Sequence, residues 1–380
     1  LAVSYNEYLA DRAASHAIQL LRLGAGARSE VLGFLAKLEI QLEDELRLSR
    51  LGDKVQSFGR EARIERLLAQ VRQLTSTAYD EMTVANERVA QGIAQLESTY
   101  AVKGFKDAAV FAAISTSTLT MQQIRSLASN LLIERSPARQ WWARQAGDLA
   151  QRFADQIRTG VALGETTDDL VRRIRGRATG RRHTYELNGR EHVFVEFSGG
   201  IMDTSTRHAE ALVRTSVQTI AGDARRQTFV ENQDVVKGIV QISTLDTRTT
   251  VVCLAYGGKA WSLPDYQPIG HDLPYGEGTP RHFGCRSTEA PLLRSWQELG
   301  IDLQDAPRGV RWSRLDGNVP GDFTMDDFLA RRSFAQLEDI LGPGRAQLYR
   351  DGKITLDDLL DLTGRPLTVA ELWERYGAAA

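Results

Sequence analysis

The apolar residues Val31, Leu35, Leu38, Leu42 and Leu46 stand three or four positions apart, and this spacing constrains the chain more than any other feature. Residues so spaced share one face of an α-helix, which turns once in about 3.6 residues. Glu39, Glu43 and Asp44 fall elsewhere around the wheel, so the pattern reads as an amphipathic helix. A second stripe follows in Ile64, Leu67, Val71 and Leu74, taken up after a polar interval by Val89, Ile93 and Leu96. Nearly everything from Ser4 to about Arg175 reads as helix, with Gly24, Gly26, Gly52, Gly59 and Gly104 as punctuation. Ser136-Pro137 reads as a cap and first-turn pair for a helix carrying Trp142, Ala146, Leu149, Phe153 and Ile157. The stripes are expected to form the core of a helical bundle, with docking on a partner or a second copy as the alternative.

From Arg172 to Val193 the chain turns basic: Arg172, Arg173, Arg175, Arg177, Arg181, Arg182 and Arg190 face only Glu186 and Glu191. Residues from His183 to Phe197 alternate as strands do around Asn188-Gly189, a dipeptide that favours a two-residue hairpin turn. A basic helix end followed by a basic hairpin suits nucleic-acid phosphates, and suits equally a solvated linker. Beyond it, a helix over Thr204 to Val230 presents Leu212, Val213, Val217, Ile220, Ala224 and Phe229. Val235 to Ser243 reads as a buried strand because Val236, Ile239, Val240 and Ile242 are β-branched. A short segment from Thr249 to Tyr256 ends at Gly257-Gly258. The Pro- and Gly-rich stretch from Tyr266 to Gly284 is a long loop, ordered or not, and Ser287 to Leu293 can return as a strand. After Trp296 come a linker and short helices, with capping patterns at Thr324/Asp327, Thr355/Asp358 and Thr368/Glu371. Gly342, Gly344, Gly352 and Gly364 separate these helices, with Pro343 and Pro366 stopping extension.

The expected fold is therefore α+β and predominantly helical. It consists of a helical region over 1–175, a basic hairpin or linker over 176–201, an α+β domain over 202–295, and a linker with C-terminal helices over 296–380. Net charge is −2 over 380 residues, so no global basic field points to nucleic acid or an anionic membrane. No apolar run reaches the roughly 18 residues needed to cross a bilayer. Two cysteines are too few for a disulfide scaffold, in keeping with synthesis in a reducing cytoplasm. A Gly-rich phosphate loop, a His-Glu-x-x-His helix and a Gly-x-Ser-x-Gly elbow are all absent from the sequence. Asp326-Asp327 and Asp357-Asp358 read as first-turn charges favoured by the helix dipole. His16, His183, His192 and His208 read as surface or packing residues.

Several short motifs recur in a fixed order. Arg214-Thr215-Ser216 lies in an Ala-rich helix, and a strand then ends in Thr244-Leu245-Asp246-Thr247-Arg248-Thr249-Thr250. Cys253, Gly257-Gly258-Lys259 and finally Thr279-Pro280-Arg281-His282-Phe283-Gly284-Cys285-Arg286-Ser287-Thr288 follow. The series resembles the head-morphogenesis domain of Mu-F-like phage minor head proteins. That pattern is a strand, an Asp-x-Arg-Thr turn, a Cys, a Gly-Lys pair and a Pro-x-His-x-x-Cys-Arg-Ser/Thr close. Phe328-Leu329-Ala330-Arg331, Ile340-Leu341-Gly342, Arg345, Gly352-Lys353 and Gly364-Arg365-Pro366-Leu367-Thr368 resemble the region after the domain. The likeness runs from about 207 to 376, a little under half the chain. One departure is that Val251-Val252-Cys253 supplies a single cysteine where some relatives have two.

The resemblance implies a structural protein rather than an enzyme: a portal-associated or internal head protein of a tailed phage, acting in head assembly, DNA packaging or ejection. Its implied location is the virion, at the portal vertex or inside the capsid, after assembly in the host cytoplasm. Implied partners are portal and other head proteins and packaged DNA, with several copies per particle and no membrane. Its structural motif residues would be Arg214, Thr215, Asp246, Arg248, Thr249, Cys253, Gly257, His282, Cys285 and Arg286. Arg172, Arg173, Arg175, Arg177, Arg181 and Arg182 are the candidate contacts of an internal DNA-binding virion protein. Asp246 is expected to pair with Arg286 or Arg248 at a buried turn, and His282 to tie the long loop to the strand end. No cofactor is required by this reading. For Cys253, His282 and Cys285 the first expectation is this fold-holding network, with three alternatives beside it: a zinc site, a disulfide formed after particle release, or the centre of a metal-dependent nuclease or transferase.

Overall fold

Two long helices occupy the first hundred residues, α1 (Tyr5–Ser49) and α2 (Arg60–Ala108). The computed structural model describes residues 5–52, 59–108, 115–187, 189–244, 246, 248–295, 297–299, 314–315, 317–318 and 325–377. The fold is α+β and predominantly helical, as the sequence predicts. After α2 come α3 (Met121–Ser129), the two-residue strands β1 (Leu132–Ile133) and β2 (Ser136–Pro137), α4 (Ala138–Ala162) and α5 (Thr167–Arg175). Strands β3 (Gly176–Leu187) and β4 (Arg190–Gly199) form the hairpin, and α6 (Ile201–Glu231) leads into β5 (Val236–Ile242). Then follow α7 (Val251–Tyr256), β6 (Ala260–Ser262), β7 (Pro268–Ile269) and β8 (Thr288–Leu293). The tail holds α8 (Met325–Ala330), α9 (Phe334–Leu341), α10 (Pro343–Arg350) and α11 (Val369–Leu372).

Three predicted breaks are not breaks. Gly24 and Gly26 lie inside α1, and Gly104 lies inside α2. A mid-helix glycine costs about 1 kcal/mol relative to alanine, which packing along a helix of 45 residues exceeds. At Gly104 a side chain would stand 3.1 Å from Leu9 Cδ2 and Arg12 Nε, so the glycine serves a close helix approach. The polar interval of α2 also stays helical, its inner face continued by Thr75, Tyr79, Met82 and Asn86, all buried. Ser136 pairs with Ile133 instead of capping, and α4 begins only at Ala138, with Pro137 as its unbonded cap. Gly344 sits within α10, and Pro343 opens that helix at its first turn, where the missing N–H costs nothing.

The chain divides into two compact units that do not follow consecutive stretches of sequence. One comprises residues 21–92 and 125–217, the other 1–20, 93–124 and 218–380, so α1, α2 and α6 each contribute to both. In the first unit the stripe Val31, Leu35, Leu38, Leu42 and Leu46 is buried, as are Trp142, Leu149, Phe153 and Ile157. The predicted hairpin is present, β3 pairing antiparallel with β4 from Leu187↔Arg190 to Gly176↔Gly199. Asn188 lies outside the described residues, as does Thr324 of the first tail capping pattern.

The second unit is built on an antiparallel sheet of order β7-β6-β5-β8. Val236 and Ile239 of β5 join a core with Leu9, Phe105, Phe229 and Trp261. Val240 and Ile242 join another with Ala10, Ala13 and Ala290. The tail helices belong to this same unit, Leu254 of α7 packing with Phe328, Leu329, Leu337, Leu348, Leu359 and Leu372. Thr368/Glu371 forms the expected capping box, and Ser333/Gln336 forms one the sequence reading did not name. Thr355 and Asp358 do bond, but ahead of a 3-10 turn over Asp357–Leu359 rather than an α-helix. No described helix is long and apolar enough to cross a membrane.

Candidate functional site

The connection from β5 to α7 turns on short polar side chains that bond their own backbone. Asp246 Oδ1 accepts from the Arg248 amide at 2.9 Å, and the Thr249 hydroxyl donates to the Thr244 carbonyl at 2.5 Å. Thr250 caps α7, its Oγ1 accepting from the Cys253 amide at 3.4 Å, which sets Cys253 in the first turn. On the loop side His282, Phe283, Gly284 and Cys285 make a tight turn closed by a bond from the Cys285 amide to the His282 carbonyl at 3.1 Å. Gly284 has φ +72°, a conformation that other residues adopt only with strain.

These two turns meet. Arg286 grips Asp246 with both guanidinium nitrogens, at 2.5 and 2.6 Å. Arg248 is the lesser partner, exposed and 3.9 Å from the same carboxylate. The turn is less buried than expected, with the Asp246 side chain about a third exposed. His282 Nε2 lies 3.0 Å from Thr250 Oγ1 and 3.3 Å from Cys253 Sγ, and the two sulfurs are 3.6 Å apart. Beneath them Ser243 donates to the Cys253 carbonyl at 2.6 Å and accepts from Ser287 at 3.2 Å. Thus residues up to 44 positions apart form one clasp, and the expected joining of strand end to loop is present.

Protonation in the clasp follows from these contacts. The carbonyl of Phe283 can only accept, so the 2.9 Å contact with His282 Nδ1 puts a ring proton on that nitrogen. The two thiols cannot both ionise cheaply at this separation. The hydrogen bond to Cys285, with burial, pushes the Cys253 thiol up, while the bond from Cys253 pulls Cys285 down. Hydrogen bonding from Arg286, which outweighs burial, lowers the Asp246 carboxyl from 3.8 to about 2. A carboxyl depressed in the fold stabilises it above the ordinary aspartate range and stops doing so as pH falls through the folded value. Asp246→Asn should therefore cost about 1–2 kcal/mol at pH 7, somewhat below a buried charged hydrogen bond because of its exposure. The gap from wild type should close between pH 4 and about 2. Urea melts at both ends of that window check it, and a pH-independent gap would contradict it.

The remaining motif residues serve the frame. Gly257 ends α7, where a side chain would meet the Met325 methyl at 2.3 Å. Arg214 is exposed on α6, and Thr215 is buried, its hydroxyl donating to the Ala211 carbonyl at 2.9 Å. Both belong to the other compact unit. Within that unit the basic segment divides. Arg173 is held by Glu165 at 2.6 Å and Gln156 at 2.8 Å, and Arg175 by Glu39 at 2.9 Å and by Glu43, beneath the Phe197 ring. Arg172 pairs with Asp169 at 3.0 Å. Arg177, Arg181 and Arg182 stand exposed on β3.

Sequence reasoning missed the buried charges that anchor the loop. Glu289 of β8, 1% exposed, accepts from Tyr275 Oη at 3.0 Å, the Thr279 amide at 2.8 Å and Arg226 at 3.2 Å. Arg281 bonds Gln241 at 2.6 Å and the Tyr275 carbonyl at 3.0 Å, its guanidinium 3.5 Å from the Tyr256 ring centre. Trp261 donates to the Leu273 carbonyl at 2.9 Å. Nothing in the periodicity marks these residues, although Glu289 interrupting an apolar strand and arginines on the apolar stripe of α6 are the available signals. No family model matches the chain, and no curated protein or solved structure matches it.

Proposed function

We propose that this chain is a structural head-morphogenesis protein of the Mu-F-like type, working through protein contacts at the portal or inside the head. The observation that carries the reading is the clasp: Asp246, Thr249, Cys253, His282, Cys285 and Arg286 of the ordered motif series bond to one another. Polar groups spent on mutual bonds hold a loop against a strand, a holding role rather than a reacting one. The direct test is affinity purification through portal protein from phage-producing cells, with purified particles assayed in parallel. The chain should accompany portal and be present in heads. Its absence from both would overturn the proposal.

The exposed Arg177, Arg181 and Arg182 favour a subsidiary contact with packaged DNA. Each neutralised phosphate contributes a slope of about −0.9 in log affinity against log salt. Replacing all three arginines with alanine should therefore flatten the salt dependence by about one unit per lost contact. Identical slopes for the triple variant and wild type would remove DNA from the list of partners.

A further inference from the structure

We infer that Cys253, His282 and Cys285 form a zinc site with three protein ligands and one position left for solvent. The inference concerns the chemistry of the clasp and stands apart from the virion reading, which rests on protein partners. The three donor atoms lie within 4.8 Å of one another. Zn–S bonds of about 2.3 Å and a Zn–N bond of about 2.0–2.1 Å around a tetrahedral ion place two sulfurs about 3.8 Å apart, and sulfur and nitrogen about 3.6 Å apart. The observed separations are 3.6 Å for Cys253 Sγ to Cys285 Sγ and 3.3 Å for Cys253 Sγ to His282 Nε2. Both lie within a few tenths of an ångström of two edges of that tetrahedron, and the third pair, Cys285 Sγ and the His282 ring nitrogen, lies within 4.8 Å, so closing that edge is the adjustment the ion requires.

Two further features belong to a ligand set. His282 donates from Nδ1 to the Phe283 carbonyl, an outer contact that turns the other ring nitrogen into the ligand and fixes the ring. The turn that carries His282 and Cys285, with Gly284 at φ +72°, brings both donors to one side of the chain. Cys253 is supplied separately by the first turn of α7, whose cap Thr250 also contacts the imidazole at 3.0 Å.

Binding is written as Zn2+ plus two thiols and one neutral imidazole giving the bis-thiolate imidazole complex and two protons. The two thiolate charges cancel the charge of the ion, so a site with both cysteines buried gains no net charge. A solvent molecule completes four-coordination.

The test uses the full chain purified under reducing conditions without chelator, with zinc measured by elemental analysis and free thiols counted by alkylation. About one zinc per chain is expected. Cobalt(II) added to the chelator-stripped protein should give the visible bands of a tetrahedral ion together with thiolate charge-transfer absorption. Cys285→Ser and His282→Ala should each lose zinc and shift or abolish those bands. Circular dichroism of each variant separates metal loss from unfolding, and the cobalt spectrum of the wild-type chain decides the matter if a variant fails to fold. Overturning results are less than about a tenth of a zinc per reduced chain after reconstitution, an octahedral cobalt spectrum without thiolate absorption, or a freshly purified chain with its thiols already joined to each other. Portal association is read in a separate experiment, so either proposal can fail alone.

Discussion

Replacing Glu97 with glutamine should lower the unfolding free energy by about 3–5 kcal/mol, the loss usual when one member of a buried ion pair is removed. Glu97 is 1% exposed and receives Arg225 at 2.7 and 3.1 Å on one oxygen while His16 bonds the other. Arg225 is itself only 8% exposed and also donates to Thr288 of β8. His16 stacks on Tyr100 with ring centres 3.7 Å apart. The amide would leave the guanidinium buried without a counter-charge beside a cavity of about 30 Å³ bordered by Arg12, His16, Glu97, Tyr100, Arg225 and Glu289. Burial pushes the Glu97 carboxyl up, but Arg225 and His16 together overcome it and hold the group below its ordinary value of 4.5. The stabilisation is thus present above that value and is lost as pH falls through the lowered one, so the variant should differ most from wild type near neutrality. Urea denaturation followed by circular dichroism measures the difference; a loss under about 1 kcal/mol would mean Arg225 finds other compensation.

Trp261→Ala should have an effect of similar size, about 3–5 kcal/mol, because its fully buried ring organises the long loop. The ring stacks on Tyr256 at 5.7 Å and meets His271 and Tyr275 edge-on at 5.0 and 5.4 Å. Its Nε1 also holds the Leu273 carbonyl. Trp261→Phe separates the two contributions, since it keeps most of the apolar contact and leaves that carbonyl without its donor, at a cost of about 1–3 kcal/mol. Limited proteolysis should then cut between residues 263 and 287 faster in the alanine variant than in the phenylalanine one. Equal stability of alanine variant and wild type would show that the loop is held by Glu289 and Arg281 alone.

Much of this arrangement is legible in the sequence where one physical signal dominates. The stripes of α1 and α6 and the β-branched run of β5 are set by burial, and all of their named apolar residues are buried. The stripe of α2 is read less well: Leu96 is 39% exposed, and the neighbouring Glu97 takes the inner position. A carboxylate is assigned to solvent on any hydropathy scale, and only a partner 128 residues away makes its burial favourable. The glycines mislead for a related reason, since a local preference of about 1 kcal/mol is set against contacts the local pattern does not contain. The clasp was accessible because its members sit in ordered motifs. The anchoring of the loop by Arg226, Glu289 and Trp261 was not, because it depends on which face of a strand and a helix come together.

The interleaved make-up of the second unit has a consequence for synthesis. Leu9 shares a core with Val236 and Ile239, yet it leaves the ribosome more than two hundred residues earlier. At about 5–20 residues per second, that core waits roughly 10–45 s for its central strand. A fragment beginning at residue 202 would make β5 with no Leu9, Val102 or Phe105 to cover it. The portion that carries the motif series is therefore expected to be poorly soluble when cut out and expressed alone, and to recover when the opening helices of its own chain are restored.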